Sequence, residues 1–140
     1  MQKQNFKKHA RVVPGFHFLT SGIIVAALII AIILLIAEGV QLITVFGLLV
    51  ALSLVLLFIY VRLFSTGNQD RIIRAEENFR SYRLTGKPLD ERLTKSQIIA
   101  LRFASDEEYV SLADKAIKEN LSSANIKRAI QQWRADHHRV

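Results

Sequence analysis

Between Val12 and Val61 the chain carries a single formal charge, Glu38, and that residue separates two apolar runs. The first, FHFLTSGIIVAALIIAIILLIA, covers Phe16 to Ala37; the second, LITVFGLLVALSLVLLFIYVRLF, covers Leu42 to Phe64. Each supplies about 20 residues, which at a rise of about 1.5 Å per residue spans a hydrocarbon core of about 30 Å. Lipid cannot satisfy open backbone groups, so both runs are expected to be helices. The predicted fold class is all-α: a two-helix transmembrane hairpin, then an amphipathic helix, then a small cytoplasmic cluster of about three short helices. The expected boundaries are a basic cytoplasmic segment at 1–17 and a hairpin at 18–64 with spans near 18–37 and 42–64. An amphipathic helix at 65–84 and a helical domain at 85–140 follow.

Charge supplies the orientation. Lys3, Lys7, Lys8 and Arg11 give residues 1–17 a charge of +4 without an acid, and Arg62 closes the second span. The connection Glu38-Gly39-Val40-Gln41 has neither Lys nor Arg. By the positive-inside rule both termini face the cytoplasm, and these five basic residues are expected at the membrane surface. A cleaved signal peptide does not fit, because the apolar run is too long, has no small-x-small cleavage site after it and precedes a second span. The remaining 14 Lys/Arg stand against 11 Asp/Glu in residues 65–140, so the net +7 is mainly a membrane-flank excess. A nucleic-acid domain would concentrate its positive charge.

The spans hold no intramembrane ionisable group that would mark a pump or an ion path. Small residues recur at four-residue spacing. In a hairpin turning near Gly39, Ala27 and Ala31 come level with Leu52 and Leu48, beside Ala51 and Gly47, so these four small residues are expected to carry the contact between the spans. Gly22 and Ala26 point elsewhere on the first helix and are expected to serve a homo-oligomer contact.

Beyond the spans, NQDRIIRAEENFRSYRL (68–84) places Ile72, Ala75, Phe79 and Tyr82 at the 3-4-3 spacing of a coiled-coil seam. The spacing predicts that this face packs on the chain's own tail, the alternative being a dimer seam or partner surface. Asp70 with Arg74 and Glu76 with Arg80 have the acid-first i,i+4 order of helix ion pairs. Thr85-Gly86-Lys87-Pro88 ends the helix. Thr94-Lys-Ser-Gln97 and Ser105-Asp-Glu-Glu108 read as capping boxes, and Ser122 as the cap of a last helix. Apolar stripes follow at helical spacing: Ile98 and Leu101; Tyr109, Leu112 and Ala116; then Ile126, Ala129, Ile130 and Trp133. This cluster is near the lower size limit for independent folding and is expected to lean on the 69–84 helix, the membrane surface or another copy.

Lys127, Arg128, Gln131 and Arg134 are the candidate tail contact, or the nucleic-acid face of a helix-turn-helix, although the tail's balanced charge argues against the latter. His9, His17, His137 and His138 match no metal-ligand spacing, and the chain has no cysteine. No phosphate loop or nucleophile motif is present. The expectation is a protein that is not an enzyme, with no cofactor and no small-molecule substrate, and with the lipid bilayer and a protein partner or its own copies as partners.

NFKKHARVVPGFHF (5–18), QDRIIRAEENFR (69–80), ALRFASDEE (100–108) and WRADHHRV (133–140) together resemble an uncharacterised bacterial family of small two-span membrane proteins, a domain of unknown function. The resemblance covers nearly the whole chain. It implies a multi-pass protein of the bacterial inner membrane and transfers no catalytic or binding residue.

Overall fold

The computed structural model describes Phe6 and residues 12–136, and all its regular elements are helical. A short π-helical stretch, Gly15–Thr20, runs into α1, Ser21–Glu38. The remaining helices are α2 (Leu42–Thr85), α3 (Lys95–Leu101), α4 (Asp106–Lys118) and α5 (Ser123–Ala129). The chain divides into two compact units, one of residues 12–66 and one of residues 1–11 with 67–140.

Within residues 12–66 the helix begins with widened turns because two hydroxyls enter the backbone ladder. Thr20 Oγ1 donates to the Gly15 carbonyl at 3.0 Å, and Ser21 Oγ donates to that of His17. Phe16 stacks on Phe58 of α2 at 4.4 Å between ring centroids. The connection between α1 and α2 turns at Gly39, whose φ of 76° is in the left-handed region that glycine enters without a Cβ penalty. Buried Thr44 closes this turn: its hydroxyl donates to the Gly39 carbonyl at 2.9 Å and accepts from Gln41 N–H at 3.0 Å. Ala31, Thr44 and Ala51 are the buried residues here, while Ile23, Ile30, Ile36, Leu49 and Leu57 are more than half exposed. Gly15–Glu38 and Leu42–Thr85 are both long and apolar enough to cross a membrane.

α2 is one unbroken helix through Gly67-Asn68, so the glycine is absorbed at a cost of about 1 kcal/mol relative to alanine. It ends as expected at Gly86, whose φ is 72° and whose N–H donates to the Tyr82 carbonyl at 2.8 Å.

The core of residues 67–140 is built from Leu93, Ile98, Leu101, Phe103, Tyr109, Leu112, Ala116, Ile126 and Ile130. Thr94 and Gln97 form the expected reciprocal cap on α3. The buried Gln97 then reaches further, and its Nε2 donates to the Leu121 carbonyl at 2.9 Å, tying α3 to the end of α4. There Asn120 takes a left-handed φ of 47° and Leu121 N–H returns to the Ala116 carbonyl at 3.0 Å, the Schellman closure with Asn in glycine's usual place.

Two expectations are corrected. The last helix stops at Ala129, so Trp133 does not extend its stripe. Residues 132–134 instead run antiparallel to 103–105, with Ser105 N–H on the Gln132 carbonyl at 3.1 Å and Arg134 N–H on that of Phe103 at 2.8 Å. Trp133 lies against Phe103 with centroids 5.2 Å apart. Paired backbone groups and the contact of half-buried Trp133 with buried Phe103 outweigh the intrinsic helix preference of this stretch. The second correction concerns the 69–84 face. Ile72, Phe79 and Tyr82 are 58%, 70% and 60% exposed, and Ala75 is exposed too. The residues turned inward are Ile73, Glu77, Arg80 and Ser81.

Candidate interaction site

The side of α2 that meets the core carries an ion network. Ile73, Glu77, Arg80 and Ser81 fall within about one third of the helix circumference at about 100° per residue. The Arg80 guanidinium donates from Nη2 to the Ala104 carbonyl at 2.7 Å, from Nε to Asp106 Oδ1 at 2.7 Å and from Nη1 to Glu77 Oε2 at 3.2 Å. It also lies 4.4 Å over the Tyr109 ring. Arg83 takes the other Asp106 oxygen at 2.7 Å. Asp106 opens α4, where a carboxylate also meets the positive end of the helix dipole. The two i,i+4 pairs expected from the sequence are replaced. Asp70 pairs with Lys95 at 3.1 Å, and Arg80 turns to Glu77 and Asp106. A buried guanidinium needs several acceptors at once, and only these surroundings provide them.

The network shifts its acids in opposite directions. Burial pushes the Glu77 carboxyl above its ordinary range, against the pull of the Arg80 charge and hydrogen bond. Asp106 feels some desolvation, but the Arg80 hydrogen bond and the charges of Arg80, Arg83 and Arg134 hold it below its ordinary value. Tyr109 is pushed upward, by burial first and then by the neighbouring Glu77 charge, so its hydroxyl stays protonated.

A cleft of about 400 Å³ opens beside the network, lined by Glu76, Glu77, Phe79, Arg80, Arg83, Arg102, Arg134, Ala135 and Asp136. Three of its four arginines have carboxylate partners. Arg80 and Arg83 are bound as above, and Arg102 Nε lies 3.4 Å from Asp136. Four arginines face three acids in the lining, and Asp106 supplies the fourth behind it. This arrangement is an internal clamp between α2 and the start of α4.

The sequence reading missed Glu77, Arg80, Asp106 and the wider role of Glu108. Its place in Ser105-Asp-Glu-Glu108 marks Glu108 as a cap alone. Its carboxylate does accept from Ser105 N–H at 3.3 Å, but it also accepts from Gln131 N–H at 3.1 Å and Gln132 N–H at 3.2 Å. One side chain thus anchors both the start of α4 and the segment leaving α5. Replacing Glu108 by Ala is expected to destabilise the 67–140 unit by about 1–3 kcal/mol, because three backbone donors lose a charged acceptor. Urea unfolding reads this, and a change below a few tenths of a kcal/mol would contradict it. The Ile73–Glu77–Arg80 phase is visible in the sequence, but the phase roughly opposite it is the more apolar.

Of the expected packing residues, Ala31 is 7% and Ala51 4% exposed, with Ala27 and Gly47 half-buried. A Cβ at Gly47 would meet no atom within 4 Å, so the tightest small-residue packing is at the alanines. Gly22 and Ala26 are exposed, and Arg62 is half-buried. Lys3, Lys7, Lys8, Arg11, His9, His137 and His138 lie outside the described residues. Lys127, Arg128, Gln131 and Arg134 do not share a helix, since α5 ends before Gln131. Lys127 lies 5.7 Å over the Phe103 ring, and Arg128 lies 5.5 Å over Phe6 with Nη1 3.3 Å from Asn125 Oδ1. The backbone of Gln131 is held by Glu108, and that of Arg134 by Phe103. The recognition helix of a helix-turn-helix is therefore not formed by these residues.

Three of the four segments that carry the family resemblance converge in this unit. Arg80 of the second binds Ala104 and Asp106 of the third, and Trp133 of the fourth packs on Phe103. No curated protein and no solved structure matches the chain. A family model described as "Family of unknown function (DUF6526)" matches residues 1–140, and the chain belongs to that family.

Proposed function

We propose that this chain is an integral membrane protein of the bacterial inner membrane that crosses the bilayer as a hairpin with both termini in the cytoplasm. Its helical unit there is a non-enzymatic binding domain for a protein partner or for its own copies. The observation that carries this reading is the surface of residues 12–66. Large aliphatic side chains are exposed along α1 and the first half of α2, and the buried residues are the small Ala31 and Ala51 with Thr44. Water would penalise such a surface by about 25 cal/mol per Å², whereas lipid tails match it. The basic flanks and the uncharged-to-acidic turn support the orientation. The clamp around Arg80 supports a structural tail, because its polar groups are spent on holding helices together.

The absence of cysteine makes the test direct. The chain is expected to stay in the membrane pellet after alkaline extraction. A membrane-impermeant maleimide is expected to label Val40→Cys in intact cells, and Asn120→Cys only after lysis. Release of the chain by alkali, or labelling in the reverse order, would defeat the reading.

A further inference from the structure

We infer that the exposed face of α2 formed by Ile72, Ala75, Phe79 and Tyr82 is a parallel seam for a second copy of this chain. The inference rests on the membrane-anchored reading above and names the partner. The face lies roughly opposite the clamp, since at about 100° per residue its centre is about 160° from that of Ile73, Glu77, Arg80 and Ser81. Docking there leaves the core of the unit untouched. Three large apolar side chains are more than half exposed on it, beyond the stretch of α2 that is apolar enough for lipid.

The charges beside the seam fit a second copy in one orientation. With Ile72 and Phe79 at a, and Ala75 and Tyr82 at d, Arg71 takes the g position and Glu76 the following e position. In a parallel pair, g faces the next e of the other helix, so Arg71 meets Glu76 of the second copy twice by symmetry. Among the described residues neither side chain makes an ion pair within its own chain. The next g–e pair, Asn78 with Arg83, places no like charges together. Two heptads are too short to hold a dimer in dilute solution. Copies inserted in one bilayer with the same orientation are already parallel and concentrated, which makes a weak seam sufficient.

The test uses the full chain in its membrane and a short bismaleimide. Ala75→Cys on the seam is expected to give a crosslinked dimer, and Arg74→Cys, one residue off it, is not. Adding Glu76→Arg to Ala75→Cys sets like charges across the seam and is expected to lower the dimer yield about tenfold. Adding Arg71→Glu as well restores the opposite pairing and is expected to bring the yield back. Equal crosslinking at 74 and 75, no dimer at 75, or a yield indifferent to both charge changes would overturn the seam. A seam occupied by another protein or by lipid headgroups gives no dimer at 75. Alkaline extraction of the same membranes separates the two readings, because a chain that stays in the pellet without crosslinking retains its anchor and loses only the second copy.

Discussion

Replacing Arg80 by Met is expected to destabilise the 67–140 unit by about 3–5 kcal/mol, as breaking a buried ion pair from one side does. The Arg80 side chain is 4% exposed and that of Glu77 6%. Methionine fills much of the same volume but leaves the Glu77 carboxylate and the Ala104 carbonyl without their donor. Asp106 suffers less, since its side chain is 40% exposed and keeps Arg83. Adding Glu77→Leu to Arg80→Met is therefore expected to recover much of the loss, because an apolar pair needs no partner.

The loss should also depend on pH in a definite direction. Burial raises the folded-state pKa of Glu77 above its unfolded value, so the folded form holds the proton more tightly. Its contribution is most favourable below the unfolded value and declines as pH rises through the folded one. Arg80 opposes this shift in the native chain, so removing it steepens the decline. The penalty of Arg80→Met is expected to grow between about pH 5 and pH 7, a window above the range in which Asp106 titrates. Asp106 has the opposite sign, since its lowered pKa supports folding above its unfolded value and loses that support in acid. Urea unfolding of the single and double variants at both pH values checks the argument. A pH-independent penalty, or one under about 1 kcal/mol, would contradict a buried, charged Glu77.

The second large effect is expected from truncation. Residues 85–140 alone should show no cooperative thermal transition, whereas residues 67–140 should show one, both followed by circular dichroism. Removing the end of α2 takes away Ile73 and Arg80 from the packed side and several ties to the following segments. Leu89 N–H loses Asn78 Oδ1 at 2.9 Å, the Lys87 carbonyl loses Ser81 Oγ at 3.2 Å, and Tyr109 Oη loses the Glu77 carbonyl at 3.4 Å. Lys95 loses Asp70 as well. A core this small has no reserve against such losses, since short chains bury too little surface to offset their conformational entropy. A cooperative transition of 85–140 at the temperature of the longer fragment would show that α2 is only an appendage.

Much of the architecture was legible because it rests on local rules. Two apolar runs separated by Glu38-Gly39 read as a hairpin of helices, and Gly86 read as the end of α2. Thr94 with Gln97 gave the start of α3 for the same reason, a side chain satisfying a donor three residues away. Reading failed where a residue's partner lies far along the chain. Trp133 follows helical spacing after Ile126 and Ile130, yet the backbone of Phe103–Ser105 captures its neighbours. Glu108 has the position of a cap, and nothing local reveals that Gln131 and Gln132 also converge on it.

The sequence by itself determined that the chain is helical, that its first half is apolar enough to enter lipid and where most of its helices begin. Those properties depend on the periodicity, composition and capping of adjacent residues. Only the tertiary structure decided which side of α2 turns inward. Periodicity favours Ile72, Ala75, Phe79 and Tyr82, but the core meets Ile73, Glu77, Arg80 and Ser81. The buried Ala104 carbonyl and the carboxylate of Asp106 accept the Arg80 guanidinium, and Glu77 completes its shell. Satisfying those buried polar groups outweighs hiding the more apolar face, which is left exposed.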